Sequence, residues 1–331
     1  MPPVIMKMNN KQERVMIIDG LNTFLRNYIV VPQLSKDGHP IGGTTGFLKS
    51  LQKLTREVKP TKIIICWDGR GGSRKRKQKN PNYKEGRAPI RLNRSFKVLS
   101  EREEQENKVW QMHRLIEYLN NFPVVQLLAD EVEADDIISY VCRYSAYKHY
   151  QKIIVSSDKD FFQLLDDTTI LYRPVQKVIL NRTKIIEEYG IHPNNFAMAR
   201  AVVGDKSDNL DGVSGVGLKT ISKRFPFFAE ERDVFLKELV EFCEKQESKL
   251  KVFTAITESI ELIKENYDLM QLYSPSLSVQ TKKSIDWTVK GFQFTFNKTG
   301  TDIMMLQDGI NEINWSSMYE DFKRIQRNNK K

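Results

Sequence analysis

Cysteine is scarce: Cys66, Cys142 and Cys243 are the three in 331 residues, far apart and each beside apolar neighbours. That spacing excludes a disulfide framework and a thiolate metal site, and fits buried free thiols in a reducing compartment. The four histidines (His39, His113, His149, His192) show no ligand spacing, so any metal would be held mostly by oxygen. No run of about 18 apolar residues occurs, which removes a transmembrane helix from the reading. The start, Met1-Pro2-Pro3-Val4-Ile5-Met6-Lys7, has no apolar signal core, and a cytoplasmic protein is expected. Apolar residues at 40% and aromatics at 10% are enough for a core, so general disorder is excluded as well.

What is present is charge, unevenly placed. From Arg70 to Lys97 there are eleven Lys and Arg and one acid, Glu85, so this segment carries the whole net charge of +10. A local basic block reads as a polyanion-binding element; a solvated loop is the plainer alternative. Its glycines, Gly71 and Gly72, and Pro81 suggest that its first part is mobile.

Apolar runs at 15–18, 63–67, 124–128, 153–156 and 169–172 read as buried strands, the first two ending in Asp-Gly turns. Helical spacing appears at 44–58, 105–119 and 134–144. Strands alternating with helices predict an α/β fold with a mostly parallel sheet flanked by helices. From about residue 191 the pattern is helical, with helices expected at 235–243 and 252–269. Residues 291–296 alternate like a strand, and 315–325 suggest a final helix.

Acids recur where strands end or helices begin. Asp19 and Asp68 follow the first two strands, and Glu133, Asp135 and Asp136 open the helix after the third. Asp158 and Asp160 follow the fourth, and Asp205 and Asp208 open the helical region. A single acid there is usually a turn or cap residue. Nine at one sheet edge would repel one another, and divalent cations are the usual remedy, with oxygen ligands favouring Mg²⁺ or Mn²⁺. In open parallel sheets ligands lie outside the carboxyl ends of the strands. Two metals roughly 4 Å apart can activate a water and stabilise a phosphodiester's leaving oxygen.

The runs Ile17-Ile18-Asp19-Gly20, Trp67-Asp68-Gly69, Tyr83-Lys84-Glu85-Gly86-Arg87, Glu133-Ala134-Asp135-Asp136, Ser157-Asp158-Lys159-Asp160, Gly204-Asp205-Lys206-Ser207-Asp208-Asn209 and Gly212-Val213-Ser214-Gly215-Val216-Gly217-Leu218-Lys219-Thr220 stand in one order over residues 15–225. Together they resemble the flap-endonuclease superfamily of 5′-nucleases, in its bacterial and phage branch. In length and in lacking an attached polymerase, the chain is similar to the free-standing phage enzymes of ribonuclease H type, which remove RNA primers.

The resemblance implies a PIN-like nuclease core over 1–190, with a basic arch at 70–100 through which a free 5′ strand passes. It further implies a helical duplex-binding region of helix-hairpin-helix type over 191–270, leaving 271–331 as a C-terminal extension without an assigned role. Packing is the favoured reading of that extension over docking of a replication partner.

Two Mg²⁺ ions are implied, with Mn²⁺ as a substitute. Asp19, Asp68, Glu133, Asp135 and Asp158 match the ligands of the first, and Asp160, Asp205 and Asp208 those of the second, with Asp136 a nearby acid. Lys84 and Arg87 match arch residues that contact the scissile phosphate. Arg74, Lys75, Arg76 and Lys77 would add phosphate contacts, and Tyr83 is open to stacking on a base or to ordinary packing. Gly215, Gly217, Lys219 and Thr220 match a duplex-backbone contact that does not read sequence.

The implied activity is metal-dependent hydrolysis at 5′ ends, flaps or RNA-primer junctions of duplex DNA, in replication or repair. The implied substrate is duplex DNA or RNA–DNA with a free 5′ end. A monomer is expected, in the host cytoplasm if phage-encoded, with a single-strand-binding or other replication protein as a candidate partner and no membrane. The alternatives are an inactive scaffold that binds junctions and a PIN-type ribonuclease for single-stranded RNA.

Overall fold

The computed structural model describes residues 13–88, 90–93, 95, 99–143, 145–147, 149–246, 250–311 and 313–329. Arg94 and Lys97 of the basic segment, and the N-terminal residues 1–12, lie outside the described residues.

The strands are β1 (Arg14–Asp19), β2 (Lys62–Cys66), β3 (Val125–Leu127), β4 (Gln151–Val155), β5 (Thr169–Arg173) and β6 (Val178–Leu180), in the order β3-β2-β1-β4-β5-β6. The first five are parallel, and β6 turns back antiparallel on β5. The central strands are continuous apolar runs because both sheet faces are covered. Their two-residue alternation feeds two cores. Val15, Ile17, Ile64 and Ile154 face one, and Met16, Ile18, Ile63, Ile65 and Ile153 the other.

The second core is roofed by α1 (Gly20–Val30), α2 (Gly42–Val58) and α4 (Glu101–Asn120), while α3 (Arg74–Lys79) lies in the basic segment. The first core is covered by α5 (Ala134–Arg143) and by the helical half of the chain. That half comprises α6 (Arg182–Tyr189), α7 (Pro193–Val203), α8 (Leu218–Arg224), α9 (Leu236–Glu244), α10 (Lys251–Glu258) and α11 (Ile260–Met270), followed by α12 (Val279–Gly291). The chain ends with α13 (Lys298–Asp308) and α14 (Trp315–Asn328).

The structure corrects the sequence reading in four places. The Asp19-Gly20 step is a helix start, because the Asp19 side chain accepts the Asn22 N–H at 3.1 Å and caps α1. The single helix expected at 252–269 is broken at Ser259, whose N–H closes on Ile256 O. Residues 292–296 form no ladder. Their alternation is real, but Phe292 packs on one core, Phe296 on the other and Phe294 on both. The first part of the basic segment, expected to be mobile, is helical at α3.

The C-terminal extension packs. Trp315, Met318, Phe322 and Ile325 of α14 are buried in the second core, where Phe322 lies 4.5 Å ring to ring from Phe122. The Tyr118 hydroxyl and Arg114 Nε both donate to Asp308 Oδ2, at 2.8 and 2.7 Å, and tie α4 to α13. Among the described residues, no helix is long and apolar enough to cross a membrane.

Candidate metal centre and nucleic-acid interface

The strand order changes direction between β1 and β4: β2 and β3 lie on one side of β1, β5 and β6 beyond β4. A crevice opens outside the carboxyl ends at such a switch point. Asp19 ends β1, and Asp158 follows β4 by three residues. Ser156, which the sequence reading passed over, joins them. Its hydroxyl donates to Asp19 Oδ2 at 3.0 Å and accepts the Asp158 N–H at 3.1 Å. Asp158 Oδ1 in turn accepts the Asp160 N–H at 2.8 Å.

Asp68 leaves β2 exposed to solvent, and its Oδ1 accepts the Ala134 N–H at 2.8 Å, which places it at the start of α5. That helix start carries Glu133, Asp135 and Asp136. Burial, followed by the charges of Asp68 and Asp158, pushes the Asp19 carboxyl up to about 7. Burial, then Asp158 and Asp19, pushes Asp135 well above the ordinary carboxylate range. These acids are therefore close enough to destabilise one another's charge.

A second group forms from the 3-10 turn Asp160–Leu164 and the loop after α7. Oxygens of Asp160, Asp205 and Asp208 lie within 4.8 Å of one another. The loop folds tightly because Asp205 and Leu210 exchange backbone hydrogen bonds at 2.8 Å. It closes against α7 at glycine. Gly204 has φ 76°, and a Cβ on Gly212 would sit 1.9 Å from Val203 O, so no side chain fits there. Burial and Asp158 push Asp160 up to about 7. Burial works the same way on Asp205, but Arg200 and the Ser207 donors outweigh it and hold it below the usual range.

The basic residues divide. Arg76, placed by sequence among the nucleic-acid contacts, is turned inward: its Nη1 donates to Glu133 Oε2 at 2.6 Å and Asp136 Oδ2 at 2.9 Å, and its Nε to Leu269 O at 2.9 Å. Lys84 Nζ lies 2.8 Å from Glu133 Oε1, and Arg87 pairs with Asp208. Burial opposes ionisation of Glu133, but Arg76 and Lys84 prevail and hold its carboxyl low. Arg74 pairs with Glu131 at 2.5 Å, Lys75 reaches Ser276 O at 3.2 Å, and Lys77 is exposed.

Tyr83 is 3% exposed, packed with Leu210, Leu269 and Met270, and its hydroxyl donates to Glu133 Oε2 at 3.3 Å. Of its two readings, this geometry is the packing one. Gly215 and Gly217 stand in open space before α8, Lys219 is exposed and Thr220 half-buried.

Sequence reasoning also missed Arg200, which bridges Asp160 at 3.4 Å and Asp205. Its position in the last turn of α7, one turn before the acidic loop, was the available signal.

Residues 14–190 match the family model described as 5′-3′ exonuclease, N-terminal resolvase-like domain. The chain belongs to this family. It is a hydrolytic 5′-nuclease that depends on divalent metal ions. Among curated relatives, the 5′-3′ exonuclease of Buchnera aphidicola subsp. Schizaphis graminum is 31% identical over 228 residues, 68% of this chain and 74% of the relative. The thermostable DNA polymerase I of Thermus aquaticus is 30% identical over 211 residues, 63% of this chain but 23% of the polymerase. Among solved structures, the T5 5′-exonuclease with bound zinc aligns with a TM-score of 0.63 at 19% identity, covering 91% of this chain and 99% of that one. A T5 D15 flap endonuclease complex with DNA and metal ions aligns at a TM-score of 0.62 and 17% identity, covering 95% of this chain and 100% of that one. At these identities the structures establish a shared fold.

Proposed function

We propose that this nuclease works with two Mg²⁺ ions on duplex DNA or RNA–DNA bearing a free 5′ end. Asp19, Asp68, Glu133, Asp135 and Asp158 would hold one ion, and Asp160, Asp205 and Asp208 the other, with Asp136 beside them. The observation that carries this reading is the convergence of acids from β1, β2, β4, α5 and the 204–212 loop on the switch point of the sheet. Carboxylates forced together by the fold, with several pushed up by burial and by each other, are the donor set that a hard divalent cation relieves. When bound, such ions activate a water and offset charge on the leaving oxygen.

The chain's own residues do the rest. Lys84 and Arg87, already against the acids, would hold the scissile phosphate that those acids otherwise repel. Arg74, Lys75 and Lys77 would guide the 5′ strand along the basic segment, with Arg76 anchoring α3. The open backbone at Gly215 and Gly217, with Lys219 and Thr220, would take phosphates of the duplex. Hydrolysis leaves a 5′-phosphate and a 3′-hydroxyl. A complete acid set disfavours the scaffold alternative, since a binder of DNA gains nothing from repelling carboxylates.

The test incubates purified protein with a labelled 5′-flap duplex, with Mg²⁺ or with EDTA. Cutting in Mg²⁺ alone is expected. Absence of metal-dependent cutting on flap, nicked and recessed substrates overturns the reading. Asp158→Asn should abolish cutting and leave DNA binding in place.

A further inference from the structure

Away from the acids, a cavity of about 370 Å³ lies between α1, α2 and the carboxyl ends of β4 and β5. Three cations line it: Arg26 from α1, Lys53 from α2 and Lys177 from the β5–β6 turn, where its φ is 54°. Among the described residues, none of the three has an ion pair, whereas Arg76, Lys84, Arg87 and Arg200 at the acidic centre all do. Glu57, a turn from Lys53, acts on the Tyr172 phenol in the same cavity, so the local balance is still positive. Arg26 is half-buried, and that burial pulls its guanidinium below the ordinary range. Thr23 also lines the cavity; it is 2% exposed, and its buried hydroxyl has no hydrogen-bond partner among the described residues.

A half-buried guanidinium without an ion pair, facing two lysines across one cavity, suits an anion with several acceptor oxygens. Solvated surface lysines alone would lack the half-buried guanidinium. The location limits what the anion is. Arg26 is seven residues along α1 from Asp19, about 10 Å by helix rise. Helix α1 covers the sheet face opposite α5, whose first turn meets the basic segment through Arg76 and Lys84. A strand lying under Lys84 and Arg87 therefore approaches the acids from the other side.

We propose that the Arg26–Lys53–Lys177 cavity is a second phosphate subsite, taking one backbone phosphate of the uncut strand of the duplex. The assignment rests on the nuclease reading for the identity of the ligand. It makes the enzyme grip both strands, one on each side of the sheet edge. Phosphate contact positions the duplex without reading its sequence.

The experiment measures dissociation constants for a nicked duplex and for a single strand of equal length in EDTA, across a range of salt. It compares wild type with the Arg26→Ala/Lys53→Ala/Lys177→Ala variant, and also with Lys177→Glu, which alters an exposed turn and leaves the packed helices alone. Loss of one phosphate contact lowers the slope of log K against log salt by about 0.9. The expected result is that shift for the duplex in the triple variant, with roughly 5- to 10-fold weaker binding at physiological salt and single-strand affinity within twofold. Lys177→Glu should move duplex affinity in the same direction. An unchanged duplex slope overturns the proposal, as does equal weakening on both substrates, which would mean general charge. Wild-type cutting in Mg²⁺ is scored separately. Its absence refutes the nuclease reading, whereas intact cutting with an unaltered duplex slope refutes this subsite alone.

Discussion

Replacing Lys84 by Ala separates a residue that acts on the reacting phosphate from one that merely adds charge. In the folded chain Lys84 Nζ lies 2.8 Å from Glu133 Oε1, with its side chain 22% exposed. Removing it does not orphan Glu133, because Arg76 Nη1 remains 2.6 Å from the other carboxylate oxygen. The cost to stability is therefore that of one charge-assisted hydrogen bond with its partner still paired, about 1.5–3 kcal/mol. The Lys84 N–H also donates to Asp208 O at 2.8 Å, a backbone bond that the substitution leaves intact. Its φ of 57° is strained for any residue but glycine, and Ala inherits that strain unchanged.

The acids proposed as metal ligands thus stay in place while the cation goes. If Lys84 stabilises charge on the scissile phosphate, single-turnover cleavage of a labelled 5′-flap duplex should slow by about 10²- to 10³-fold, or about 2.7–4 kcal/mol. Duplex affinity in EDTA should weaken by only a few-fold, the worth of one phosphate contact. A rate loss under tenfold, or a loss of affinity in proportion to the loss of rate, refutes the assignment. Lys84→Gly serves as the control for backbone strain: it should be about 1 kcal/mol more stable than Lys84→Ala and equally slow.

The stability that Asp19 and Asp160 contribute in EDTA, measured as the difference in melting temperature between wild type and Asp19→Asn/Asp160→Asn, should fall as pH rises from about 4 to about 7. Asp19 and Asp160 keep their protons up to about 7 in the folded chain, while the unfolded chain releases them near the ordinary carboxylate range. Mg²⁺ should raise the melting temperature at pH 7.5 more than at pH 5, since its ligands must be ionised; a metal effect independent of pH argues against these ligands. Phe322→Ala should cost about 3–5 kcal/mol in urea unfolding, because the ring is fully buried beside Phe122. A cost below 1 kcal/mol would mean that the C-terminal extension is not part of the core. Gly212→Ala places a Cβ 1.9 Å from Val203 O and must displace the loop that carries Asp205 and Asp208. Calorimetric titration with Mg²⁺ should lose the weaker binding step, and two unchanged steps would contradict the assignment of those acids.

The strands and the acids were legible because both depend on short, strong signals. A strand buried on both faces is a run of Val and Ile, and an acid at its end is read by position alone. Helix α1 was hidden because Asp-Gly is a turn signal until the Asn22 N–H is seen to bond Asp19. The Phe292–Phe296 alternation misled because a period of two means one core and one solvent face in most proteins, and here it means two cores. Pairing over distance has no local signature at all. Arg76 and Glu133 are separated by 57 residues, so composition could show a basic block but not that one arginine within it turns inward.

That inward turn bears on how one site can hold nine acids. Cations already compensate part of the set: Arg76 serves Glu133 and Asp136, Lys84 serves Glu133, Arg87 serves Asp208, and Arg200 serves Asp160 and Asp205. Among the described residues, Asp19, Asp68, Asp135 and Asp158 have no ion pair, and Asp19, Asp135 and Asp158 are pushed upward by burial before any neighbour's charge is counted. On the proposed reading, four of the five strand-end acids have no protein cation against them, Glu133 being the exception, whereas all three acids of the loop group are already paired with arginine. A divalent cation gains most where no protein cation competes, so the site at the ends of β1 and β4 should be the tighter one. The loop site is weaker for the same reason that it is adaptable. On the same reading Arg87 would leave Asp208 for a substrate phosphate, and a metal ion held there would supply the charge it gives up.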